Sequence, residues 1–252
     1  MARYEHHPVF DQPDDSTSIW RYMGFSKFLS LLNSSALYFT VANKFEDRWE
    51  GTIPITNKAS LDPRIISFYE QHRATNAVNC WHQRERESAT MWKSYTSGNE
   101  GIAIRSTLGR LKTCFRATEG TITSDAAVLV GQVKYLDYDR ETLDVSNGFI
   151  PLLRKRSFFS DEKEVRAVIG SPLLSNFFLQ GLHGVRVPVD LDALIAEVFI
   201  DPVASDWFVD LVRTIVGDRF AIAKSSIGER PPQTTDGPPV MAYVMTKKAG
   251  KD

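Results

Sequence analysis

The stretch from Cys80 to Arg105, CWHQRERESATMWKSYTSGNEGIAIR, constrains the fold of this chain most strongly. It begins with a short apolar segment, continues through a charged, helix-forming centre, and ends in an apolar strand led by a glycine. Trp81, Trp92 and Tyr95 all fall within it. Large aromatic side chains beside charged residues indicate either a heavy core or a pocket for a flat ligand.

Composition sets the class of protein before any motif is considered. The 252 residues can bury a substantial core, and a formal net charge of −1 gives no global field that nucleic acid or an anionic membrane would require. The basic run at residues 154–156 still allows a local patch. No segment has the length of a membrane span, and the polar N-terminal residues lack the apolar core of a signal peptide, which predicts a cytoplasmic protein.

The two cysteines, Cys80 and Cys114, do not make a disulfide framework, and they have no partners at zinc-binding spacing. Cys80 is expected to be a small buried side chain. The GxSxG, Walker, HExxH and GxGxxG motifs are all absent, so no common catalytic loop can be assigned.

Strand and helix patterns alternate along most of the chain. They predict an irregular lead-in over residues 1–17, a single α+β domain over residues 18–228, and a Pro/Gly-rich loop with a terminal strand over residues 229–252. The domain opens with strand SIWRYM, helix KFLSLLNSS capped by Ser26, and strand ALYFTV, a βαβ-like unit. A later strand, AAVLVGQVKYLDY, is expected to kink at Gly131.

Arg21 is the first chemical candidate, because it lies between two aromatic residues in a strand that should be interior. An ionised guanidinium in that position needs a carboxylate partner or an anionic ligand. A structural ion pair with Glu164 or Glu50 is the alternative to a ligand-binding role.

The loop FEDRWEG, residues 45–51, concentrates acidic and aromatic side chains. Its three carboxylates and one arginine can bind a metal, orient a ribose or pair with one another. Gly51 indicates a backbone turn at the end of the loop.

Glu162 and Glu164 are two residues apart, so a strand at this position would direct both to one face, with Arg166 continuing the row. Like charges on one face repel each other unless a cation or a ligand lies between them. The alternative is a solvated edge-strand face balanced by Lys163 and neighbouring arginines.

Several of these blocks together resemble a bacterial domain family of uncharacterised function. They are IWRYM with SKFLSLLNSSALYFT, the KFEDRWEG loop, CWH with ESATMWKSYTSGNEGIAI, and SFFSDEKEVRAVI. The resemblance covers most of the chain, from about Trp20 to Ile169. This sequence departs from the family pattern in EDRWE, where Asp-Pro is usual, and in Trp81-His82, where Phe-Ser is frequent.

The order of these blocks is also similar to that of the ADP-ribosyltransferases. That resemblance implies a split mixed β-sheet with flanking helices and a site that uses NAD. Arg21 would meet the pyrophosphate or ribose side, Glu164 would hold a ribose hydroxyl, and Glu162 would orient or deprotonate the acceptor. The NAD-binding side chains implied are Tyr22, Tyr38, Thr40, Trp92 and Tyr95, with Tyr38 or Trp92 stacking on the nicotinamide.

The resemblance further implies a toxin or phage-defence effector, with a protein or nucleic acid as acceptor and an antitoxin as a partner. Two other functions stay open. Asp161-Glu162-Lys163, with Asp47 or Glu50 as an earlier carboxylate, matches half of a Mg²⁺-dependent nuclease site. A non-catalytic module would instead use the aromatic residues to bind a nucleotide or a partner.

Overall fold

The computed structural model describes residues 3–96, 98–116, 122–123 and 126–227. These residues form a mixed α+β architecture with one large mixed sheet and several helices, which confirms the predicted class. The strands are β1 Arg3–Tyr4, β2 Ser18–Gly24, β3 Ala36–Val41, β4 Ala77–Gln83, β5 Gly101–Thr107, β6 Ala127–Gln132, β7 Lys134–Leu136, β8 Arg154–Arg156, β9 Glu164–Gly170, β10 Gly184–Pro188, β11 Glu197–Ile200 and β12 Ile222–Lys224. The α-helices are α1 Phe25–Ser34, α2 Ile55–Lys58, α3 Pro63–Thr75, α4 Ala89–Tyr95, α5 Leu108–Thr113, α6 Pro172–Leu179, α7 Leu191–Leu194 and α8 Asp206–Val216.

The main path of the large sheet runs β1-β6-β9-β4-β2-β5-β11-β12, with β3 and β10 attached beside β4. Its pairs are antiparallel except for β1 with β6 and β11 with β12. Strands β7 and β8 form a separate parallel pair. Short 3-10 helices cover Ala42–Lys44, Ile150–Leu153 and Ser157–Glu162.

The sheet divides at β4, and this division positions the site. One edge of β4 pairs with β9 from Ala77 to His82. Its other edge is shared, because β2 pairs with His82 and Gln83 while β3 pairs with Ala77 and Val78. Strands β2 and β3 therefore diverge from one edge and leave a gap between them.

Two side chains bridge this gap in place of main-chain hydrogen bonds. Arg21 donates from Nη1 to the carbonyl oxygen of Cys80 at 2.6 Å, and Asn79 donates from Nδ2 to the carbonyl oxygen of Tyr38 at 2.8 Å. Buried carbonyl groups need such partners, so both side chains help to stabilise the divergence of the strands.

Helix α1 connects β2 to β3 as predicted, but it begins differently. The helix begins at Phe25 after Gly24, and no side chain caps it, so the prediction that Ser26 caps this helix is wrong. Phe28 and Leu31 bury its apolar face in the main core, and the helix ends at Ser35 in a left-handed conformation. Both strands of this unit are antiparallel to β4, so they are parallel to each other.

The main core lies on the large sheet and is formed by buried side chains of most strands and of helices α1, α5, α6, α7 and α8. Residues 3–17 contribute to the fold: Arg3–Tyr4 pairs with β6, and Phe10 is buried. The strand expected to kink at Gly131 is two strands, β6 and β7, separated at Val133. The loop and strand predicted for residues 229–252 lie outside the described residues.

Glu162 and Glu164 do not share a strand. Glu162 is the last residue of the 3-10 helix Ser157–Glu162, Lys163 has a left-handed backbone with φ of 44°, and β9 begins at Glu164. The prediction that both acids lie on one strand is therefore wrong, because a tight turn separates them. Among the described residues, no helix combines the length and the apolar composition that a bilayer-spanning segment needs.

Candidate functional site

A cavity of about 950 Å³ opens where β2 and β3 diverge from β4. Its wall consists of residues of β2, α1, β3, β4 and β10, the loop at residues 45–50, Tyr95, and the segment from Lys155 to Glu164. The predicted site residues in this wall are Arg21, Tyr22, Tyr38, Thr40, Tyr95, Glu162 and Glu164. Residues distant in the sequence thus meet at one cavity, of a volume typical of ligand sites.

A buried network of acidic and basic side chains lies on one side of the cavity. Lys155 contacts three carboxylates with its Nζ atom: Glu162 at 2.8 Å, Glu164 at 2.8 Å and Glu50 at 3.2 Å. Arg166 donates from Nε to Glu164 at 2.6 Å and also pairs with Glu50. Three acids and two bases therefore share a region with little access to water, where their mutual attraction is strong.

The two glutamates of this network have different surroundings. Glu164 is 3% exposed, and its two oxygens accept separately from Lys155 and Arg166. The side chain of Glu162 is 14% exposed, and its Oε2 atom accepts from Lys155 and from the Tyr95 hydroxyl at 3.1 Å. Glu162 is therefore the more accessible carboxylate, and Glu164 is enclosed by its cations.

These surroundings shift the pKa values of the two acids in opposite directions. Burial, together with the neighbouring Glu164, raises the pKa of Glu162 to about 7. Burial also acts to raise the pKa of Glu164, but the charges of Arg166 and Lys155 outweigh it and hold that pKa well below its ordinary value. Close to neutral pH, Glu164 is a carboxylate while Glu162 exchanges a proton.

Burial alone would lower the pKa of Lys155, but the carboxylates of Glu164 and Glu50 outweigh it and raise the pKa. Burial would likewise lower the pKa of Arg166, but the same two carboxylates outweigh it and raise that pKa. Both bases are therefore charged, and they hold Glu164 in place. The basic run at residues 154–156 is accordingly not a uniform surface patch, since Lys155 is only 5% exposed.

Arg21 has no carboxylate partner among the described residues, so neither of the ion pairs expected as an alternative forms. Its guanidinium donates to the Cys80 carbonyl and lies 6.0 Å from the centre of the Trp81 ring. Burial lowers the pKa of Arg21, which shows the cost of keeping this charge away from water. A partly buried cation that faces a cavity favours an anionic ligand there.

Two further cations line the cavity. Lys27 is on α1 and Arg186 is on β10, and both are exposed. Neither forms an ion pair with the acids of the described ranges, in contrast to Lys155 and Arg166. The cavity therefore combines unpaired positive charge from Arg21, Lys27 and Arg186 with a compensated acid–base network.

The aromatic side chains divide into cavity walls and core. Tyr38 and Tyr95 line the cavity and are 45% and 42% exposed, so a flat ligand can reach both. Tyr22 is buried, its hydroxyl accepts from the Ser88 backbone N–H at 2.9 Å, and burial raises its pKa to about 12. Thr40 also lines the cavity from β3.

Trp92 does not line the cavity. It is buried with Tyr22 and Met91 in a core cluster, and its indole Nε1 donates to Glu87 at 2.9 Å. Its predicted stacking on a nicotinamide does not fit this position. Trp81 is likewise fully buried and donates to Asn79, so it belongs to the core.

The acidic loop is fixed by partners from other segments rather than by self-pairing. Glu50 joins the buried network, and Asp47 pairs with Arg156 at 3.1 Å. Gly51 has φ of 72°, the left-handed conformation that its predicted turn requires. Cys80 lines the cavity, and burial raises the pKa of its thiol, which keeps it neutral.

Three residues of this site were not predicted from sequence patterns. Lys155 lies in a charged run of the kind that is usually solvated, and Tyr135 accepts from the Glu164 backbone N–H at 2.8 Å. His82 lines the cavity, and its Nδ1 atom lies 3.0 Å from the Glu162 carbonyl oxygen. The departure of Trp81-His82 from the Phe-Ser pattern marks His82 in the sequence but predicts no role for it.

Within the described residues, no cluster of three or more His, Cys, Asp or Glu side chains has an arrangement that could hold a metal ion. The acids instead contact ammonium and guanidinium groups. Comparisons of the sequence with models of protein families and with curated proteins give no match. The resemblance to ADP-ribosyltransferases therefore stays a prediction, and the site has to be interpreted from its own chemistry.

Proposed function

We propose that this chain is a NAD-dependent ADP-ribosyltransferase whose site is the cavity between β2 and β3. The observation that carries the proposal is the meeting of Arg21 and Glu162 in the wall of one cavity. One is a cation without a carboxylate partner among the described residues, and the other is an acid with a pKa of about 7. NAD needs both kinds of group, since it has an anionic pyrophosphate and a ribose that becomes cationic during cleavage.

The cations in the cavity wall support binding of the pyrophosphate. Arg21 has a rigid fork of donors that fits phosphate oxygens, and Lys27 and Arg186 add charge from two other elements. Binding an anion would also offset the cost of burying the Arg21 guanidinium. Tyr38 and Tyr95 are accessible aromatic surfaces for the nicotinamide or adenine ring.

The acid network supports cleavage of the bond between nicotinamide and ribose. This bond breaks through an oxocarbenium-like state, as in glycoside hydrolysis, and a fixed carboxylate stabilises the developing positive charge. Glu162 is the accessible acid, so we assign it this role in place of Glu164. Glu164 is a positioning residue, because it fixes Lys155, which in turn contacts Glu162.

The nuclease alternative gains no support from this arrangement. Asp161 is exposed on the 3-10 helix, and the buried carboxylates are already paired with Lys155 and Arg166. A two-metal site requires carboxylates that converge on the cations instead.

The direct test is incubation of the purified protein with NAD labelled in its adenylate half, with and without cell extract. Release of nicotinamide by the wild type, and its loss in Glu162→Gln, would support the proposal. Fractionation of the extract shows whether protein or nucleic acid takes the label, and a labelled macromolecule would fit the toxin or defence role that the resemblance implies. A thermal shift with NAD but no turnover would instead favour a binding module, and no response to NAD would refute the proposal.

A further inference from the structure

His82 occupies a position in the cavity wall that the roles assigned so far do not explain. It lies in β4 with strands on both sides, opposite Trp20 of β2 and Glu164 of β9. The residue is 3% exposed, and its ring packs beside Tyr95, with ring centres 5.0 Å apart, and beside Tyr22, at 6.0 Å. The ring is therefore fixed by strand pairing and by aromatic packing.

The hydrogen bonding of this ring determines where its proton lies. Nδ1 is 3.0 Å from the carbonyl oxygen of Glu162, and a carbonyl oxygen can only accept. Nδ1 must therefore carry the hydrogen. Burial lowers the pKa of His82, so the ring is neutral and Nε2 has a free lone pair.

None of the hydrogen bonds among the described residues involves His82 Nε2, although the residue lines the cavity. Glu162, by contrast, uses its Oε2 atom to accept from both Lys155 and Tyr95. The site thus contains one acid engaged by donors and one neutral base whose acceptor nitrogen is unengaged within the described structure.

We propose that His82 is the general base that receives the proton of the acceptor. This inference rests on the proposed transferase function and adds a catalytic residue to it. The electron pair of the ribose–nicotinamide bond leaves with the nicotinamide, and an oxygen or nitrogen of the acceptor bonds to the ribose carbon. The acceptor proton passes to Nε2 of His82, and water later removes it.

The separate roles of Glu162 and His82 follow from their positions in the site. His82 donates from Nδ1 to the backbone carbonyl of Glu162, and Tyr95, whose ring packs beside His82, donates its hydroxyl to the Glu162 carboxylate. An imidazolium formed at His82 would be stabilised by the nearby Glu164 charge and opposed by Arg21 and Lys155. The acceptor class is accordingly a hydroxyl, amine or amide group that has a proton to lose.

The decisive variant is His82→Asn, because its amide nitrogen can replace Nδ1 as the donor to Glu162 but offers no equivalent of Nε2. If Nε2 is the base, transfer to the acceptor should fall by about 10²–10⁴-fold while the thermal unfolding temperature changes little. If His82 only holds the Glu162 backbone, His82→Asn should retain the wild-type rate, and the inference is overturned.

A second variant covers a fold that does not tolerate asparagine. His82→Ala leaves a space the size of the ring, and added imidazole should restore part of the transfer rate. His72→Ala is the matched control, since His72 is half-buried but does not line the cavity, and imidazole should not affect that variant. Absence of rescue in His82→Ala, with the variant folded, contradicts a base at this position.

Nitrogen-15 NMR of the histidine side chains gives a readout that needs no turnover. The prediction is a neutral His82 ring protonated at Nδ1, and a ring protonated at Nε2 would overturn the inference even if the enzyme is active. A wild-type protein without NAD turnover would instead remove the proposed function, and the role of His82 with it.

Discussion

Glu162 and Glu164 show how strongly position changes the chemistry of one residue type. Glu164 lies between Lys155 and Arg166 with little access to water, while Glu162 ends a 3-10 helix at the cavity wall. The first is therefore a structural anion and the second a group that can exchange a proton near neutral pH.

Replacing each acid by glutamine should separate these roles. Glu164→Gln leaves two buried cations undercompensated and should lower the free energy of unfolding by about 3–5 kcal/mol. Glu162→Gln should alter that free energy much less but reduce NAD turnover by about 10²–10³-fold. Urea unfolding and nicotinamide release measure the two effects, and equal stability losses in both variants would contradict the assignment.

The raised pKa of Glu162 predicts how stability depends on pH. The folded state holds the Glu162 proton up to about pH 7, while the unfolded state releases it near the ordinary pKa of 4.5. Between these two pH values the folded state therefore binds more protons than the unfolded state. The stabilisation is complete below pH 4.5 and is lost as the pH rises through 7. Unfolding measured between pH 4 and 8 should show the wild type losing stability relative to Glu162→Gln, and parallel curves would contradict this prediction.

At the level of elements, the divergence of β2 and β3 creates the site. Arg21 bridges that gap with its guanidinium, and we expect the same group to meet the pyrophosphate.

Arg21→Leu should weaken NAD binding by about 10–100-fold, since a hydrogen bond to a charged group contributes roughly 1.5–3 kcal/mol. Calorimetric titration measures this effect. Arg219→Leu is the control, because Arg219 pairs with Asp192 outside the cavity, and equal losses in both variants would argue against a specific contact.

The residue patterns in the sequence predicted most strands of the large sheet. Strand β3 spans Ala36–Val41 as predicted, since its aromatic and β-branched residues favour a pleated, half-buried surface. Strands such as β7 and β8 have three residues each, and that length is too short for periodicity to show. The turn at Lys163 was missed because a left-handed lysine gives no sequence signal.

The site was only partly predictable, because some of its residues have a local sequence signal and others depend on contacts made only in the fold. Arg21, Glu162 and Glu164 were identifiable because charged residues beside apolar segments need an explanation. Lys155 was not, since its burial depends on Glu50, which lies about a hundred residues earlier and is brought close only by the fold. Trp92 shows the opposite error: its spacing with Met91 and Tyr95 is typical of a buried helical stripe, as found, and its ligand role came from the resemblance alone.

At the level of the whole molecule, the cavity should couple NAD binding to stability. A ligand that binds only the folded state stabilises it by roughly 2.7 kcal/mol at a hundred times its Kd. For a chain of this size that corresponds to a rise in Tm of about 5–10 °C. Thermal unfolding with and without NAD measures the shift. Arg21→Leu should show a smaller shift at the same NAD concentration, and an unchanged shift would place the ligand elsewhere.

The crystal structure of Glu162→Gln grown with NAD tests the central claim most directly. We predict that the pyrophosphate lies within hydrogen-bonding distance of Arg21, with the nicotinamide ribose against residue 162, between β2 and β3. A dinucleotide bound outside this cavity, or with its phosphates away from Arg21, would contradict the account.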